Sequence, residues 1–228
     1  MSDISEILNS IKAYLETDKL SGIKDIMLAS SLDEPRPDPS PLKAAGGTLE
    51  ELLKSAGECD GCQLHKRRTN LVFGSGNPKA RLMFVGEAPG GEEDLQGLPF
   101  VGRAGQLLTK MIEAIDMNRG DVYIANILKC RPPNNRNPMP EEIAACAPFL
   151  REQISIIRPK IICTLGKFAS QFLLQSEEPI TALRGRFHKY EGIKLMPTYH
   201  PAYLLRNPPA KKFVWEDLKK IRDELKKT

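Results

Sequence analysis

The sequence predicts an α/β fold, with a single three-layer domain that holds a four-stranded parallel sheet between helices, and a short helical N-terminal extension. Two observations predict it. Short apolar, β-branched runs alternate along the chain with longer segments of helical periodicity, which is typical of a parallel sheet with crossover helices. In addition, 228 residues suffice for one full domain and an appendage.

The predicted extension covers residues 1–45, and the domain covers residues 46–228. Apolar residues at helical spacing predict a helix over 2–15, and a weaker pattern predicts another over 24–32. Four prolines alternate with other residues over 35–41, which excludes a helix and indicates an extended linker. The apolar stripe of the first helix needs a partner, so it either folds back onto the domain or docks onto another protein.

Four strands and five helices are predicted within the domain. The strands cover 81–86, 121–126, 160–165 and 194–198, and the helices cover 48–57, 102–117, 140–157, 167–174 and 210–227. Ligands of such folds bind at the carboxyl ends of the parallel strands. Polar or Gly/Pro-rich residues follow three of these strands, at 86–90, Asn126 and 199–203. We therefore expect these three segments, together with Gly166 after the remaining strand, to converge on one cleft.

The charge is distributed unevenly along the chain. The net charge of +4 divides into six basic and eleven acidic residues over 1–58, and 27 basic and 18 acidic residues over 59–228. The domain is therefore basic, which suits a polyanionic partner such as nucleic acid. Because the chain lacks a long apolar run and its first residues are acidic, we expect neither a membrane protein nor a secreted one. We expect a cytoplasmic protein with free thiols.

Four of the five cysteines have the pattern of a metal site. Cys59 and Cys62 form a C-x2-C pair, and Cys130 and Cys146 can complete a set of four thiolate ligands. Zinc and iron–sulfur clusters both accept four thiolates. A zinc ribbon usually has two C-x2-C pairs, so the wide spacing of the second pair favours a [4Fe–4S] cluster, and four unrelated cysteines are the alternative. Cys163 lies within an apolar strand and is interpreted as a buried core thiol.

Several motifs occur in the order found in one enzyme family. They are Cys59-x2-Cys62, Gly86-Glu-Ala-Pro-Gly90, Gly97-Leu-Pro-Phe-Val-Gly-Arg-Ala-Gly105, Asn126-Ile-Leu-Lys-Cys-Arg-Pro-Pro133, Cys146 and His200-Pro-Ala-Tyr-Leu-Leu-Arg206. From about Cys59 onwards the chain resembles the family 4 uracil-DNA glycosylases, the iron–sulfur branch of their superfamily. The resemblance implies hydrolysis of the N-glycosidic bond of deoxyuridine in DNA, which initiates base excision repair. It also implies a structural [4Fe–4S] cluster on Cys59, Cys62, Cys130 and Cys146.

The resemblance further assigns a uracil pocket, into which a glycosylase flips its nucleotide. Phe100 resembles the residue that stacks on the base, with a core phenylalanine as the alternative. Asn126 matches the base-reading asparagine, whose amide can donate to uracil O4 and accept from N3–H; the alternative is an asparagine in a turn. Ala88 is assigned to the pocket as well. Glu93 is expected to exclude thymine, because Gly90 stands where the best-known uracil glycosylases have a tyrosine.

Two residues are candidates for catalysis. Uracil leaves as an anion, and a donor beside its O2 stabilises the developing charge by roughly 3 kcal/mol. His200, between a strand and a proline, is the predicted donor. The best-known relatives orient water with an aspartate of the first motif, but Ala88 stands at that position, which excludes a general base there. Glu87 is therefore expected either to position water or to bind uracil through its backbone.

Four residues are predicted to contact DNA. Gly-rich segments with free N–H groups suit phosphates, which makes Ser75 and Arg103 candidates. Arg206 is expected to meet a phosphate. Leu204 resembles the apolar wedge that fills the space left by the flipped base, with a core leucine as the alternative. The expected partner is single- or double-stranded DNA that contains uracil, and the protein is expected to be a monomer.

Three rival functions are open at this point. One relative crosslinks to its product through a histidine after the second strand, but residues 131–138 contain none. A non-catalytic four-cysteine DNA-binding module, recruited through the N-terminal helix, would bind DNA without releasing a base. An electron carrier would use the cluster for redox chemistry, but it would leave the first and last motifs unexplained.

Overall fold

The computed structural model describes residues 47–227. The two helices and the proline-rich linker predicted before residue 46 lie outside the described residues, so they stay predictions. The first described helix begins with a capping box, in which the Thr48 hydroxyl accepts from the Glu51 amide and the Glu51 carboxylate accepts from the Thr48 amide. The described residues thus lie within the predicted domain, residues 46–228.

Six strands of the described chain form one sheet. They are β1 (Ser75–Gly76), β2 (Leu82–Gly86), β3 (Tyr123–Asn126), β4 (Ile161–Leu165), β5 (His188–Tyr190) and β6 (Ile193–Thr198), in the order β1-β3-β2-β4-β6-β5. The four inner strands pair in parallel and correspond to the four predicted strands, which confirms the predicted parallel sheet. The edge strands β1 and β5 pair antiparallel and were not predicted, because two or three residues carry no readable alternation.

Helices lie between the strands. In the described part of the chain they are α1 (Leu49–Gly57), α2 (Gly91–Gln96), α3 (Arg103–Glu113), α4 (Pro140–Ile157), α5 (Lys167–Leu174), α6 (Ile180–Leu183), α7 (Pro201–Arg206) and α8 (Lys211–Lys226). The five longest, α1, α3, α4, α5 and α8, correspond to the predicted helices. The other three have four to six residues each and were missed. Among residues 47–227, no helix is long and apolar enough to cross a bilayer.

Apolar residues cover the sheet on both faces. Leu82 and Phe84 of β2 belong to one buried cluster, whereas Met83 and Val85 belong to another, because successive side chains of a strand point to opposite faces. The first cluster contains buried residues of α3 and α8, and the second contains buried residues of α4 and α5. The predicted three-layer arrangement is therefore confirmed.

The parallel strands end together at one edge of the sheet. Gly86 at the end of β2 is paired with Asn126 at the end of β3, and Leu165 of β4 is paired with Thr198 of β6. The segments that follow β2, β3 and β6 therefore leave the sheet side by side. This alignment brings together residues that are more than a hundred positions apart in the sequence.

Candidate active site

A cleft of about 460 Å³ opens at the carboxyl ends of the parallel strands. The segments after β2, β3 and β6 all line it, as predicted, whereas Gly166 after β4 is not one of its lining residues. Seven of the ten residues predicted for catalysis, uracil binding and DNA binding lie in its wall: Glu87, Ala88, Glu93, Phe100, Asn126, His200 and Arg206. The other three, Ser75, Arg103 and Leu204, do not line it.

Phe100 and Asn126 line the cleft and lie against Gly86. A Cβ atom at Gly86 would lie 2.4 Å from Asn126 Oδ1 and 2.6 Å from Phe100 Cζ. Both side chains therefore lie directly against the backbone of Gly86, and any larger residue there would displace them. The sequence motif includes Gly86, but only the structure gives the physical reason for a glycine.

The carboxamide of Asn126 is buried and incompletely bonded. The residue is 1% exposed, and its Oδ1 has no hydrogen-bond partner among the described residues. A buried acceptor without a partner costs about 1–3 kcal/mol, so it marks a site that a ligand donor can satisfy. The unpaired acceptor therefore favours a binding role for Asn126 over the alternative of an asparagine in a turn.

Phe100 lies at the tip of a loop held in one conformation. It is 6% exposed and adopts a left-handed φ of 53°. The Glu93 carboxylate accepts hydrogen bonds from the amides of Val101 (2.9 Å), Gly102 (3.0 Å) and Gly90 (3.2 Å). Glu93 thus ties the turn after β2 to the Phe100 loop. These contacts show that Glu93 holds the loop. Its predicted role in excluding thymine from the pocket stays a prediction.

His200 caps the short helix α7. Its Nδ1 accepts a hydrogen bond from the Ala202 amide at 3.1 Å, so the neutral ring carries its proton on Nε2. Burial and then the charge of Arg206 lower the pKa of His200 to about 4, against an opposing effect of Glu93. The ring centroid lies 5.5 Å from that of Phe100. His200 is therefore a neutral hydrogen-bond donor beside the Phe100 ring.

Glu87 and Ala88 form the rim next to β2. Burial raises the pKa of the Glu87 carboxyl above its ordinary value. The Glu87 carbonyl accepts from the Leu128 amide at 3.0 Å, so this backbone acceptor is already used within the fold. The side chain and the backbone N–H of Glu87 are therefore the groups that remain for water or substrate.

The segment after β3 supplies a wall of the cleft that the sequence did not reveal. Pro132, Asn135, Arg136 and Asn137 line it. The Arg136 guanidinium donates to both oxygens of Glu142 at the start of α4, at 2.9 and 2.5 Å. This pair anchors the wall to a long helix, and the ion pair also lowers the pKa of the buried Glu142 carboxyl.

A second cavity, away from the cleft, brings the four predicted cysteine ligands together. Cys59, Cys62, Cys130 and Cys146 line it with mostly apolar neighbours, whereas Cys163 lies in β4 with no exposed surface. Within residues 47–227, no three His, Cys, Asp or Glu side chains are placed to hold a single metal ion. A donor set of four thiols and no oxygen suits either zinc or an iron–sulfur cluster.

Two cationic residues contact the sulfur atoms of this cavity. The backbone amide of Lys129 lies 3.2 Å from Cys146 Sγ, and Arg68 Nη1 lies 3.4 Å from Cys130 Sγ. The Lys129 ammonium is buried and donates to the carbonyl of Asn126 (2.8 Å) and to Gln153 Oε1 (2.6 Å). Burial lowers the pKa of Lys129 to about 8. These donors would offset the negative charge of bound thiolates.

The chain is similar to known proteins over most of its length. Residues 73–219 match the model of the uracil DNA glycosylase superfamily. The chain belongs to this superfamily. Curated type-4 uracil-DNA glycosylases of Saccharolobus solfataricus and Thermotoga maritima are 47% and 48% identical to it over 186 and 188 residues. These alignments cover 78% and 79% of this chain, and 86% and 98% of the two relatives.

A different branch of the superfamily is more distant from this chain. A type-5 uracil-DNA glycosylase of Pyrobaculum aerophilum is 33% identical over 148 residues, which cover 57% of this chain and 64% of the relative. The resemblance drawn from the motifs is therefore confirmed, and the chain is a member of the type-4 uracil-DNA glycosylases.

One DNA contact predicted for this glycosylase is wrong as the structure stands. Leu204 is 1% exposed and packs in the apolar cluster under α3 and α8, so it cannot act as a surface wedge. Its neighbours Tyr203 and Leu205 are each 37% exposed, and Tyr203 lines the cleft. The reason is the phase of helix α7, which turns Leu204 inward and its two neighbours outward.

Ser75 and Arg103 lie outside the lining of the glycosylase cleft. Ser75 belongs to edge strand β1, and its flanking glycines are explained by packing against β3. A Cβ atom at Gly76, which has a φ of 126°, would lie 2.0 Å from the Val122 carbonyl oxygen. Arg103 is exposed at the first turn of α3. Their phosphate contacts stay predictions.

Proposed function

We propose that this protein is a uracil-DNA glycosylase that binds a flipped deoxyuridine in the cleft at the ends of β2, β3 and β6. The observation that carries the proposal is the buried, unpaired Oδ1 of Asn126, which lies with Phe100 against the backbone of Gly86. An aromatic ring can stack on the face of a flipped base, and a carboxamide beside it can bind the edge of that base. Hydrolysis of its N-glycosidic bond would initiate base excision repair.

Asn126 reads the base in this proposal. Its Oδ1 accepts from uracil N3–H, and its Nδ2 donates to O4, so the carboxamide complements the edge that distinguishes uracil from cytosine. Phe100 stacks on the ring of the base, and Glu93 holds the Phe100 loop while facing the cleft beside it. Ala88 adds a small apolar contact at the rim.

His200 and Glu87 support bond cleavage. His200 donates its Nε2–H to uracil O2 as negative charge develops there, which suits a neutral imidazole whose pKa is held at about 4. Glu87 positions the attacking water on the sugar side. Its carboxylate, together with the DNA phosphates and the uracil anion, offsets the positive charge of the oxocarbenium-like state.

The second cavity holds a [4Fe–4S] cluster on Cys59, Cys62, Cys130 and Cys146 in this proposal. The cluster would supply a structural crosslink between the Cys59 loop, the segment after β3 and helix α4. Burial raises the pKa of the Cys146 thiol to about 11, so cluster binding would be needed to deprotonate it. The free cysteines fit the reducing cytoplasm, where we place the enzyme.

Cys146→Ser is expected to lose most of the bound iron and to unfold at lower temperature, because one of four ligands is missing. Cys163→Ser is the matched control. Because Cys163 lies outside the cavity, this variant protein is expected to keep its iron. Iron content, visible absorbance of the cluster and the thermal midpoint report the difference. Equal iron in Cys146→Ser and wild type would contradict the ligand assignment.

Uracil release tests the proposed function directly. Purified protein is incubated with a labelled oligonucleotide that contains one deoxyuridine, and alkali then cleaves any abasic site before a denaturing gel. We expect cleavage at uracil only, with no product from the matching thymine oligonucleotide. Retained DNA binding without alkali-labile sites would instead support a non-catalytic DNA-binding module, and a stable protein–DNA adduct would support the crosslinking chemistry.

Three further properties belong to the same proposal. The DNA substrate is single- or double-stranded, the enzyme acts as a monomer, and the helix predicted over 2–15 would provide a site for a protein partner. The basic charge of residues 59–228 supports the nucleic-acid substrate.

A further inference from the structure

A strip of aromatic rings and one guanidinium leads away from the cleft. Tyr203, in the cleft wall, has its ring centroid 5.0 Å from that of Tyr199. Arg184 Cζ lies 5.3 Å from the Tyr199 centroid and 5.2 Å from that of Phe213 on α8. We name Tyr203, Tyr199, Arg184 and Phe213 the stacking strip. Neither the uracil pocket nor the cysteine cavity uses the last three of these residues.

We propose that the stacking strip binds unpaired nucleotides of single-stranded DNA next to the flipped deoxyuridine. This inference rests on the proposed function, because it places the strip beside a pocket that holds one nucleotide of the same strand. Proteins that bind single strands without sequence preference combine aromatic side chains, on which bases stack, with cations that follow the backbone. The strip supplies the aromatic rings, and basic side chains at its two ends supply the cations.

The strip is held rigidly from below. Arg184 donates to both oxygens of Asp217, at 3.1 and 2.6 Å, and to the Phe213 carbonyl at 2.6 Å. Asp217 is fully buried and also accepts from the Thr198 hydroxyl at 2.6 Å. Thr198 ends β6, directly before Tyr199. Arg184 is therefore held close to both rings, so little side-chain entropy is lost when a base stacks on Tyr199 or Phe213.

The exposed rings of the stacking strip and the basic side chains at its ends favour a polyanion whose bases are unstacked. Tyr203 is 37% exposed and Phe213 is 42% exposed. Basic side chains flank both ends, because Arg206 lines the cleft beside Tyr203 and Lys212 Nζ lies 5.0 Å from the Phe213 centroid. The carboxylate of Asp217 is neutralised by Arg184 beneath the strip. A duplex hides the faces of its bases, so stacking on the strip requires single-stranded DNA.

The test compares Phe213→Ala with Trp215→Ala. Trp215 is 38% exposed on the same helix but lies near Lys219 and Arg222, away from Arg184, and so controls for loss of an exposed aromatic ring. Steady-state uracil release is measured on one deoxyuridine oligonucleotide as a single strand and as a duplex. We expect Phe213→Ala to raise KM for the single strand about 5- to 100-fold, with kcat unchanged. Trp215→Ala is expected to match wild type.

Two further variants separate stacking from packing. Phe213→Tyr keeps an aromatic face and should restore the wild-type KM, whereas Phe213→Leu keeps apolar bulk and should not. An unchanged KM in Phe213→Ala, an equal rise on single strand and duplex, or the same rise in Trp215→Ala would each overturn the inference.

A binding measurement keeps the inference apart from the proposed function. Fluorescence anisotropy with a uracil-free single strand reports on the strip even if wild type releases no uracil. Weaker binding by Phe213→Ala in that case would support the strip while the glycosylase proposal fails. Equal binding by wild type and Phe213→Ala, in an enzyme that does release uracil, would refute the strip alone.

Discussion

Asn126→Ala is expected to slow single-turnover uracil release by about 10²- to 10³-fold. The variant removes two hydrogen bonds to a base that becomes an anion, at roughly 1.5–2 kcal/mol each in a site closed to water. The wild-type Oδ1 has no partner within the described part of the protein, and in the proposed complex uracil N3–H would satisfy it. Rapid-quench measurement with enzyme in excess over the deoxyuridine oligonucleotide gives this rate.

Asn135→Gly is the matched control for Asn126→Ala. Asn135 also lines the cleft, but its Oδ1 already accepts from Arg131 Nε at 2.8 Å. Glycine accommodates its left-handed φ of 54° without strain. We expect less than about a tenfold loss, because one hydrogen bond is worth roughly 0.5–1.5 kcal/mol. Equal losses in the two variants would contradict base reading by Asn126, as would unchanged inhibition of Asn126→Ala by free uracil.

His200→Ala is expected to lower the rate of bond cleavage about 10²-fold, with little change in KM. A donor aimed at developing charge contributes roughly 3 kcal/mol in the transition state and much less in the ground state. Because His200 also caps α7, the alanine variant should lose about 1 kcal/mol of unfolding free energy. His200→Asn keeps a capping oxygen, but its shorter side chain moves the remaining N–H donor away from the position of Nε2. A similar rate loss in His200→Asn would therefore show that the catalytic effect is separate from the cap.

The pH profile distinguishes a neutral donor from a charged one. The folded-state pKa of His200 is about 4, below its ordinary value of 6.5, so the ring stays neutral from neutral pH down to about pH 5. The single-turnover rate of wild type should therefore show no step near pH 6.5 that is absent in His200→Asn. In the same range the unfolded chain binds a proton that the folded chain does not, so stability should fall as pH decreases from about 6.5 to 4. A step that disappears with His200 would indicate an imidazolium.

The inner sheet could be read from the sequence, whereas its edges could not. The strands β2, β3 and β4 are runs of apolar residues buried on both faces, so their pattern is strong. Strands β1 and β5 have two and three residues and exist through hydrogen bonds to β3 and β6. Because this pairing depends on the neighbouring strand, the local sequence of β1 or β5 does not predict it.

The sequence predicted most of the residues that line the cleft, but not all of their contacts. Phe100, Asn126 and His200 were assigned through motifs, and the aligned strand ends bring them into one cleft. Leu204 was misplaced because the motif does not state the rotation of α7, which packing against the core determines. The Arg136–Glu142 pair behind the cleft wall was also missed, since an isolated arginine and glutamate six residues apart carry no distinctive signal.

The sequence by itself determined the α/β class, the order of the four inner strands along the chain, the four cysteine candidates and the residues expected at the cleft. These depend on local periodicity and on side-chain chemistry, which a linear chain displays directly. Only the tertiary structure decided that the side chains of Phe100 and Asn126 lie against the backbone of Gly86. It also decided that Leu204 faces the core and that Arg184 lies close to the rings of Tyr199 and Phe213. Each of these depends on packing between distant segments, and such packing has no signature in a short stretch of sequence.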